Sequence, residues 1–259
     1  MLLIAGVLFD MGGTLLDYRG PGGWEATLAS AFRAVYDAVS AAGYRGEWEP
    51  FRERLWALEE RLWTEALGGQ ASPTVEGEVV ELLRELGLPR NPGLVARCAR
   101  AYGQALQSAC EVFPDSAETL AALKAMGLKI GLISNTVLPG EAHVEDLARF
   151  GLLGYFDDLV FSSDVGLWKP QAAIFHLALG RLGLRPGEAL FVGDRLIDDV
   201  GGAQGAGLLG VLRVAPGEGP DGAAGEAQGI RPDARILALA ELPALVEKLK
   251  VGDGSPRGF

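Results

Sequence analysis

Short apolar segments alternate with amphipathic ones throughout the second half of this 259-residue sequence. The apolar segments have the length of strands and lie at 129–133, 159–161, 189–192, 209–214 and 235–239. The segments around them have helical spacing and lie at 116–126, 141–150, 171–182, 198–206 and about 241–250. Strands with no polar alternation are expected to be buried on both faces. This order therefore predicts an α/β fold, a doubly wound, Rossmann-like parallel sheet with helices on both sides.

The apolar run 2–9 predicts one further strand of this sheet. Residues 24–112 then show four apolar stripes at helical spacing. Ser72-Pro73 and Asn91-Pro92 are typical of an N-cap followed by a first-turn proline, and they are expected to open the third and fourth helices. Four amphipathic helices of this length are expected to pack as a bundle.

The change of pattern along the chain predicts its domains. Residues 1–17 and 112–250 are expected to form the α/β core, and residues 18–111 a four-helix domain inserted after the first strand. The stretch 215–230, rich in Gly, Ala and Glu, is predicted to be a surface loop. Residues 251–259 are predicted to be a poorly ordered tail.

Composition restricts the partners of the chain. It has 23 Lys and Arg against 34 Asp and Glu, a net charge of −11, which argues against non-specific nucleic-acid binding because that needs a basic surface. No apolar run approaches the roughly 18–20 residues of a membrane span, and the N-terminal run lacks the features of a signal peptide. Two cysteines without metal-ligand spacing fit a reducing compartment. A cytoplasmic protein without a membrane partner is therefore expected, and its oligomeric state is not indicated.

Polar residues follow four of the predicted strands at the point where each strand ends. They are Asp10 after 2–9, Ser134-Asn135 after 129–133, Lys169 in the segment after 159–161, and Asp194 and Asp199 after 189–192. Ligands bind at this edge of an open α/β sheet, so these side chains are expected to converge. Carboxylates hold Mg²⁺, which neutralises phosphoryl oxygens, and a lysine supplies a positive charge. The set predicts a Mg²⁺-assisted reaction on a phosphate.

The same residues carry a resemblance to a known family. Asp10-Met11-Gly12-Gly13-Thr14, Ile133-Ser134-Asn135, Lys169-Pro170 and Val192-Gly193-Asp194 with Asp199 follow its motifs in order and spacing. The chain resembles a hydrolase of the haloacid dehalogenase superfamily, of the subgroup with a helical cap inserted after the first strand. The resemblance extends over essentially the whole chain. It implies that the four-helix domain is a cap that opens and closes over the site.

The resemblance implies a catalytic role for several residues. Asp10 is the expected nucleophile, which forms an aspartyl intermediate. Ser134 is expected to bind the transferring phosphoryl group, and Lys169 to pair with Asp10 and with the phosphate. The residues expected to contact the substrate phosphate in addition are Gly13, Thr14 and Asn135.

The resemblance also implies a set of Mg²⁺ ligands. Asp10 and Asp194 are the expected side-chain ligands, and residue 12, here Gly12, is expected to offer its backbone carbonyl. Asp199 is expected to support the metal site by orienting Lys169 or a metal-bound water. The neighbouring Asp198 remains an alternative, because subfamilies place the last acid at slightly different spacings.

Gly12 departs from the pattern of phosphatases in this family. There the residue two positions after the nucleophile is an Asp that protonates the leaving group and then activates water. General acid–base catalysis of this kind is typically worth about 10²–10⁴ in rate, and glycine does not supply it. Three alternatives remain open: a leaving group that departs unprotonated, another acid such as Asp17 or a cap carboxylate, or slow turnover of the intermediate.

The function that the resemblance implies is a Mg²⁺-dependent phosphatase acting on a small phosphorylated metabolite. One alternative is a nearly inactive protein that binds a phosphate ligand, and another is a hydrolase of different chemistry within the superfamily. The phosphonate-cleaving branch uses a cap lysine, whereas residues 18–112 contain no lysine. The haloacid-cleaving branch needs no metal and carries a different fourth motif. The natural substrate is not indicated by the sequence.

Overall fold

The computed structural model describes residues 3–68, 72–214 and 229–251. These residues divide into two compact units. The α/β unit comprises the described parts of Met1–Leu16, Val112–Asn135 and Leu147–Phe259, and the helical unit comprises those of Asp17–Glu111 and Thr136–Asp146. The predicted loop at 215–230 and the predicted tail at 251–259 fall almost wholly on 215–228 and 252–259, which lie outside the described residues.

Eight strands are found in the described residues. In chain order they are β1 Gly6–Phe9, β2 Leu16–Asp17, β3 Glu111–Val112, β4 Lys129–Ser134, β5 Asp158–Phe161, β6 Ala189–Gly193, β7 Leu209–Arg213 and β8 Ala234–Ile236. Six of them form one sheet in the order β5-β4-β1-β6-β7-β8, in which every neighbouring pair is parallel. The chain builds outward from β1 through β4 and β5, then returns to the other side of β1 for β6, β7 and β8. This is the predicted doubly wound sheet, and the fold class is confirmed.

Ten α-helices accompany these strands in the described residues. They are α1 Gly23–Ala41, α2 Trp48–Leu67, α3 Val75–Glu85, α4 Pro92–Ala109, α5 Ser116–Ala125, α6 Gly140–Arg149, α7 Ser162–Val165, α8 Ala172–Leu182, α9 Gly202–Gly205 and α10 Leu242–Val251. The sheet is apolar, and β1 and β6 are buried along their whole length, as expected for strands covered on both faces. Within the described part of the chain, no helix combines the length and apolarity needed to cross a membrane.

Two predictions for the α/β part were wrong in detail. The strand expected at 235–239 ends at Ile236, because the Glu241 carboxylate accepts hydrogen bonds from the backbone N–H groups of Leu237 and Ala238 and starts a 3₁₀ turn there. The helix expected at 198–206 consists of a π-helical turn, Leu196–Gly201, followed by α9. The π turn matters for the site described below.

The helical unit contains the four predicted helices α1 to α4. Asn91 is the predicted N-cap of α4, since its side chain accepts from the backbone N–H groups of Gly93 and Leu94. The cap predicted for α3 was wrong: Thr74, and not Ser72, accepts the hydrogen bond, from Gly77 at 3.2 Å. The unit also includes Thr136–Asp146, a segment predicted from the sequence to belong to the core.

The helical unit buries an acidic pair that the sequence does not reveal. Glu59 on α2 and Glu78 on α3 are 5% and 2% exposed, and the Tyr102 hydroxyl on α4 donates to the Glu59 carboxylate. Burial raises the pKa of Glu59 to about 7, and burial together with Glu59 raises the pKa of Glu78 well above its ordinary value. The environment of the two glutamates therefore favours their protonated form over their ionised form.

We expect Glu59→Gln to stabilise the protein above pH 7. Because the pKa of Glu59 rises from its ordinary 4.5 to about 7 on folding, the unfolded chain loses this proton first, and stability falls as the pH rises through that window. Glutamine accepts the same hydrogen bond from Tyr102 without a charge. The expected gain is about 1–3 kcal/mol at pH 8 and close to zero near pH 4, measured by urea denaturation.

Glu60→Gln is the matched control, because Glu60 is the exposed neighbour of Glu59 on the same helix. It should show no pH-dependent gain. Equal gains in the two variants would show that reducing the net negative charge, and not relieving a buried carboxylate, is the cause.

Candidate active site

The predicted site residues of the α/β unit meet at the carboxyl edge of the sheet. Asp10 directly follows the central strand β1, and Asp194 directly follows its neighbour β6. Ser134 ends β4, the other neighbour; Phe9 pairs with Leu132 there, so Ser134 lies one residue beyond the level of Asp10. The three carboxylates of the cluster have oxygens within 4.8 Å of one another, and they belong to Asp10, Asp194 and Asp199.

Lys169 is the cation of this cluster. Its Nζ donates to Asp10 Oδ1 and to Asp199 Oδ1, each at 2.6 Å, and it lies 5.1 Å from the centroid of the Phe191 ring. The side chain is 2% exposed. Burial alone would lower the pKa of Lys169, but the two carboxylates raise it above its ordinary value. The ammonium therefore stays charged, and it is a fixed positive charge next to Asp10.

Asn135 holds the backbone of Lys169 in place. Its side-chain Nδ2 donates to the Lys169 carbonyl at 2.9 Å, and its Oδ1 accepts from the Lys169 backbone N–H at 2.8 Å. The peptide bond between Lys169 and Pro170 is cis. Asn135 is predicted from the sequence to contact a phosphate. In the structure its amide is bonded to the lysine backbone, and a phosphate contact stays a prediction.

The π-helical turn carries two adjacent buried acids, Asp198 and Asp199, which have different partners. Asp199 bonds Lys169 through Oδ1 and accepts from the backbone N–H of Arg195 through Oδ2, at 2.9 Å. Asp198 pairs with the Arg195 side chain at 2.6 Å. A Cβ built on Gly193 would lie 2.3 Å from Asp199 Cγ, so only glycine leaves room for this carboxylate. Asp199 is therefore the acid that orients Lys169.

The loop after β1 packs directly on the carboxylates. Gly13 has a φ of 84°, which favours glycine, and a Cβ there would lie 2.3 Å from Asp194 Oδ2. The buried Thr14 hydroxyl donates to Asp10 Oδ2 at 3.4 Å. Gly12 forms a backbone bridge with Leu16 and lies outside the left-handed region. Three contacts of this loop stay predictions: those of a phosphate with Gly13 and with Thr14, and that of a metal with the Gly12 carbonyl.

The cluster has the electrostatic character of a cation site. Burial, with Asp10 and Asp199 adding to it, raises the pKa of Asp194 to about 7. Burial raises the pKa of Asp10 to about 6, although Lys169 opposes the shift. Among the described residues no group donates to the buried Asp194 Oδ1. Three carboxylates facing one ammonium, with an oxygen left unbonded, fit a hard divalent cation such as Mg²⁺.

Comparison with known proteins places the chain among hydrolases. The model of the haloacid dehalogenase-like hydrolase family matches residues 4–207. The chain belongs to this family. It is 32% identical over 219 residues to a glyceraldehyde 3-phosphate phosphatase of Methanopyrus kandleri, covering 85% of this chain and 87% of that one. It is 36% identical over 208 residues to a phosphoglycolate phosphatase of Yersinia pseudotuberculosis, covering 79% and 78%.

A solved structure of a dehalogenase resembles most of the chain. A 2-haloacid dehalogenase of Pseudomonas syringae superposes with a TM-score of 0.69 at 25% identity, covering 95% of this chain and 99% of the other. Both phosphatases and dehalogenases are thus relatives of this haloacid dehalogenase-like hydrolase. The choice between the two chemistries depends on the residues of the site.

The helical unit of this hydrolase contains a largely buried polar network for which the sequence offers no motif. The Tyr18 hydroxyl donates to Asp146 Oδ2 at 2.9 Å and lies 3.1 Å from His143 Nδ1. His143 Nε2 lies 2.6 Å from the Thr136 hydroxyl. The four groups connect the start of the unit to the segment that follows Asn135. No local sequence pattern reveals this network, because Tyr18 and His143 are 125 residues apart.

We expect Mg²⁺ to raise the melting temperature of this hydrolase, more at pH 8 than at pH 5.5. The carboxyls of Asp194 and Asp10, with pKa values of about 7 and about 6, must lose their protons before a cation binds, so proton competition weakens binding below pH 6. Asp194→Asn should abolish this rise, because the stabilisation free energy of RT ln(1 + [Mg²⁺]/Kd) is lost with the site.

The control for charge is Asp164→Asn, which neutralises an exposed acid on α7. It should retain the wild-type dependence on Mg²⁺ and pH. An Asp194→Asn protein that keeps the wild-type Mg²⁺ midpoint would refute the assignment of Asp194 as a ligand.

Proposed function

We propose that this hydrolase is a Mg²⁺-dependent phosphatase that cleaves a small phosphorylated metabolite through an aspartyl-phosphate on Asp10. The observation that carries the proposal is the buried Lys169 ammonium between Asp10 and Asp199, beside the unbonded oxygen of Asp194. That set offers a nucleophile, a fixed positive charge and a cation site within one cluster. The names of the two relatives, both phosphatases of small phosphorylated compounds, support the same reading.

The chain's own residues account for the chemical steps. A carboxylate oxygen of Asp10 attacks the phosphorus, and the bond from phosphorus to the leaving oxygen breaks. Lys169 keeps Asp10 in place and balances charge on the phosphoryl oxygens, to which the Ser134 hydroxyl donates. Water then hydrolyses the acyl phosphate, releasing inorganic phosphate and restoring the Asp10 carboxylate. Asp199 keeps the ammonium oriented through both steps.

Bound Mg²⁺ would supply further neutralisation of the phosphoryl oxygens. The residues that would hold it are Asp10, Asp194 and the carbonyl of Gly12, with Asp199 supporting the site through Lys169. The inserted helical unit is proposed as the cap domain of the family and as the source of substrate specificity, because the core residues recognise only the phosphoryl group that every such substrate shares.

Gly12 gives a reason to weigh a second function. Without an acid at this position, the leaving group departs without the proton that residue 12 supplies in related phosphatases. The hydrolase is then expected to prefer substrates with acidic leaving groups, such as acyl or aryl phosphates. A protein that binds phosphate esters but hardly turns them over is the alternative that this substitution favours.

We expect Asp10→Asn to lower the turnover of p-nitrophenyl phosphate by at least about 10³-fold, because the nucleophile is lost. The assay is phosphate release with Mg²⁺, run beside Asp164→Asn as the charge control. Tight binding of phosphate esters by the wild type with no turnover on a broad phosphate panel would favour the binding protein.

Assays on the same purified protein distinguish dehalogenase activity from phosphatase activity. A phosphatase of the proposed kind loses activity in EDTA and regains it with Mg²⁺. Release of halide from a 2-haloacid that is insensitive to EDTA would refute the phosphatase proposal and favour the chemistry of the dehalogenase relative.

We expect Gly12→Asp to raise turnover on alkyl phosphates by up to about 10²–10⁴-fold, the usual range of general acid–base catalysis. Gly12 does not have a positive φ, so its backbone conformation is open to a side chain. The measurement is kcat against the pKa of the leaving group for a series of phosphate esters. The wild-type rate should fall steeply as that pKa rises, and the variant's rate should fall less.

Gly12→Asn is the matched control, since asparagine has the size of aspartate but no proton to transfer at neutral pH. It should keep the steep wild-type dependence. No gain in a folded, Mg²⁺-binding Gly12→Asp protein would mean that another group already protonates the leaving group.

A further inference from the structure

Strand β7 ends in a charged side chain that is buried. Arg213 is its last residue and is 4% exposed. In the ladder between β6 and β7, Gly193 lies opposite Leu212, so Arg213 is level with Asp194 at the carboxyl edge of the sheet. A buried charge is costly unless its hydrogen bonds are used, so the contacts of Arg213 indicate its role.

The Arg213 guanidinium lies between an aromatic ring and a backbone carbonyl. Its Nη1 donates to the carbonyl oxygen of Gly13 at 2.6 Å, and its Cζ lies 3.8 Å from the centroid of the Phe113 ring. Phe113 is tied to the same loop, because its N–H donates to the Leu15 carbonyl at 3.1 Å. The ring therefore supports the guanidinium, and the guanidinium holds the Gly13 peptide.

That peptide borders both halves of the catalytic cluster. On one side, the Gly13 backbone packs so closely on Asp194 that a Cβ would lie 2.3 Å from its Oδ2. On the other side, the next residue is Thr14, whose hydroxyl donates to Asp10. The Gly13 N–H is already bonded to the Leu16 carbonyl at 2.7 Å, so Arg213 holds the remaining polar atom of this residue. Rotation of the peptide would displace the surfaces against which both carboxylates rest.

We infer that Arg213 is a positioning residue for the catalytic cluster: by holding the Gly13 carbonyl, it sets the geometry of the Mg²⁺ site and of Asp10. The inference rests on the proposed function and names a residue that acts at that same site from 200 positions away in the sequence. A charge-assisted hydrogen bond is stronger than a neutral one, which suits a contact that must resist movement of the loop. The role is one of support, because the bond goes to the backbone and not to a reacting atom.

The test compares Arg213→Met, Arg213→Lys and the control Arg181→Met. Methionine keeps an apolar side chain over Phe113 but has no donor, whereas lysine can still donate to the Gly13 carbonyl. Arg181 is a half-exposed arginine on α8. Two readouts are taken: the Mg²⁺ concentration that gives half of the maximal thermal stabilisation, measured without substrate, and kcat and KM with Mg²⁺.

We expect Arg213→Met to raise the Mg²⁺ midpoint about tenfold and to lower kcat by about 10–10²-fold, with KM changed less than about threefold, as for a misplacement of about 1 Å. Arg213→Lys should recover part of both effects, and Arg181→Met should behave as wild type. Faster backbone amide exchange over residues 11–16 in metal-free Arg213→Met, but not over α8, would support the same conclusion.

A folded Arg213→Met with a wild-type Mg²⁺ midpoint and kcat would overturn the inference, since a merely structural residue lowers stability without moving either. If Arg213→Met does not fold, the test uses Arg213→Lys and Phe113→Leu in its place. A wild-type Mg²⁺ midpoint in both variants would overturn the inference, and raised Mg²⁺ midpoints would support it. A raised midpoint in a protein that hydrolyses no phosphate ester would refute the proposed function and leave the role of Arg213 at the cation site standing.

Discussion

The ion pairs of Lys169 are the interaction on which the arrangement of the site depends. One ammonium bonds both Asp10 and Asp199 at 2.6 Å, with almost no exposure to solvent. Removing it would leave two carboxylates buried side by side, which is strongly unfavourable. The surrounding contacts serve this lysine: Asn135 fixes its backbone, Phe191 lies under its charge, and the turn after β6 brings Asp199 within reach.

Two glycines make room for the carboxylates around that lysine. A side chain on Gly13 would collide with Asp194, and one on Gly193 would collide with Asp199. Both glycines lie in loops or strand ends at the edge of the sheet, where backbone must approach side chains closely. The glycine-rich motifs of the sequence therefore have a packing reason here: a dense group of acids needs neighbours without side chains.

The sequence was sufficient to predict the fold and the convergence of the site, because both follow from local patterns. Apolar strands between helices predict a parallel sheet, and polar residues at strand ends then meet at one edge. It named Asp199 but left Asp198 open as an alternative, because the spacing alone does not show that Asp199 bonds Lys169 whereas Asp198 pairs with Arg195. It also did not reveal the bonds of Asn135 to Lys169 or of Arg213 to Gly13. Those contacts join residues 34 and 200 positions apart, and no local pattern records them.

On the proposed function, the charge of the cluster links cation binding to phosphate binding. The chain carries a net charge of −11, and the site itself presents three carboxylates to one ammonium. A phosphate dianion approaching this set without a divalent cation meets net repulsion in a partly buried, weakly screened place. Burial is the main cause of the raised pKa values of Asp194 and Asp10, and repulsion from the neighbouring carboxylates adds to it. Protonation of the two acids at low pH relieves this repulsion, but it also removes the charged carboxylates that would bind the cation. With Mg²⁺ present, cation affinity and phosphate affinity should therefore rise together with pH until both acids are ionised.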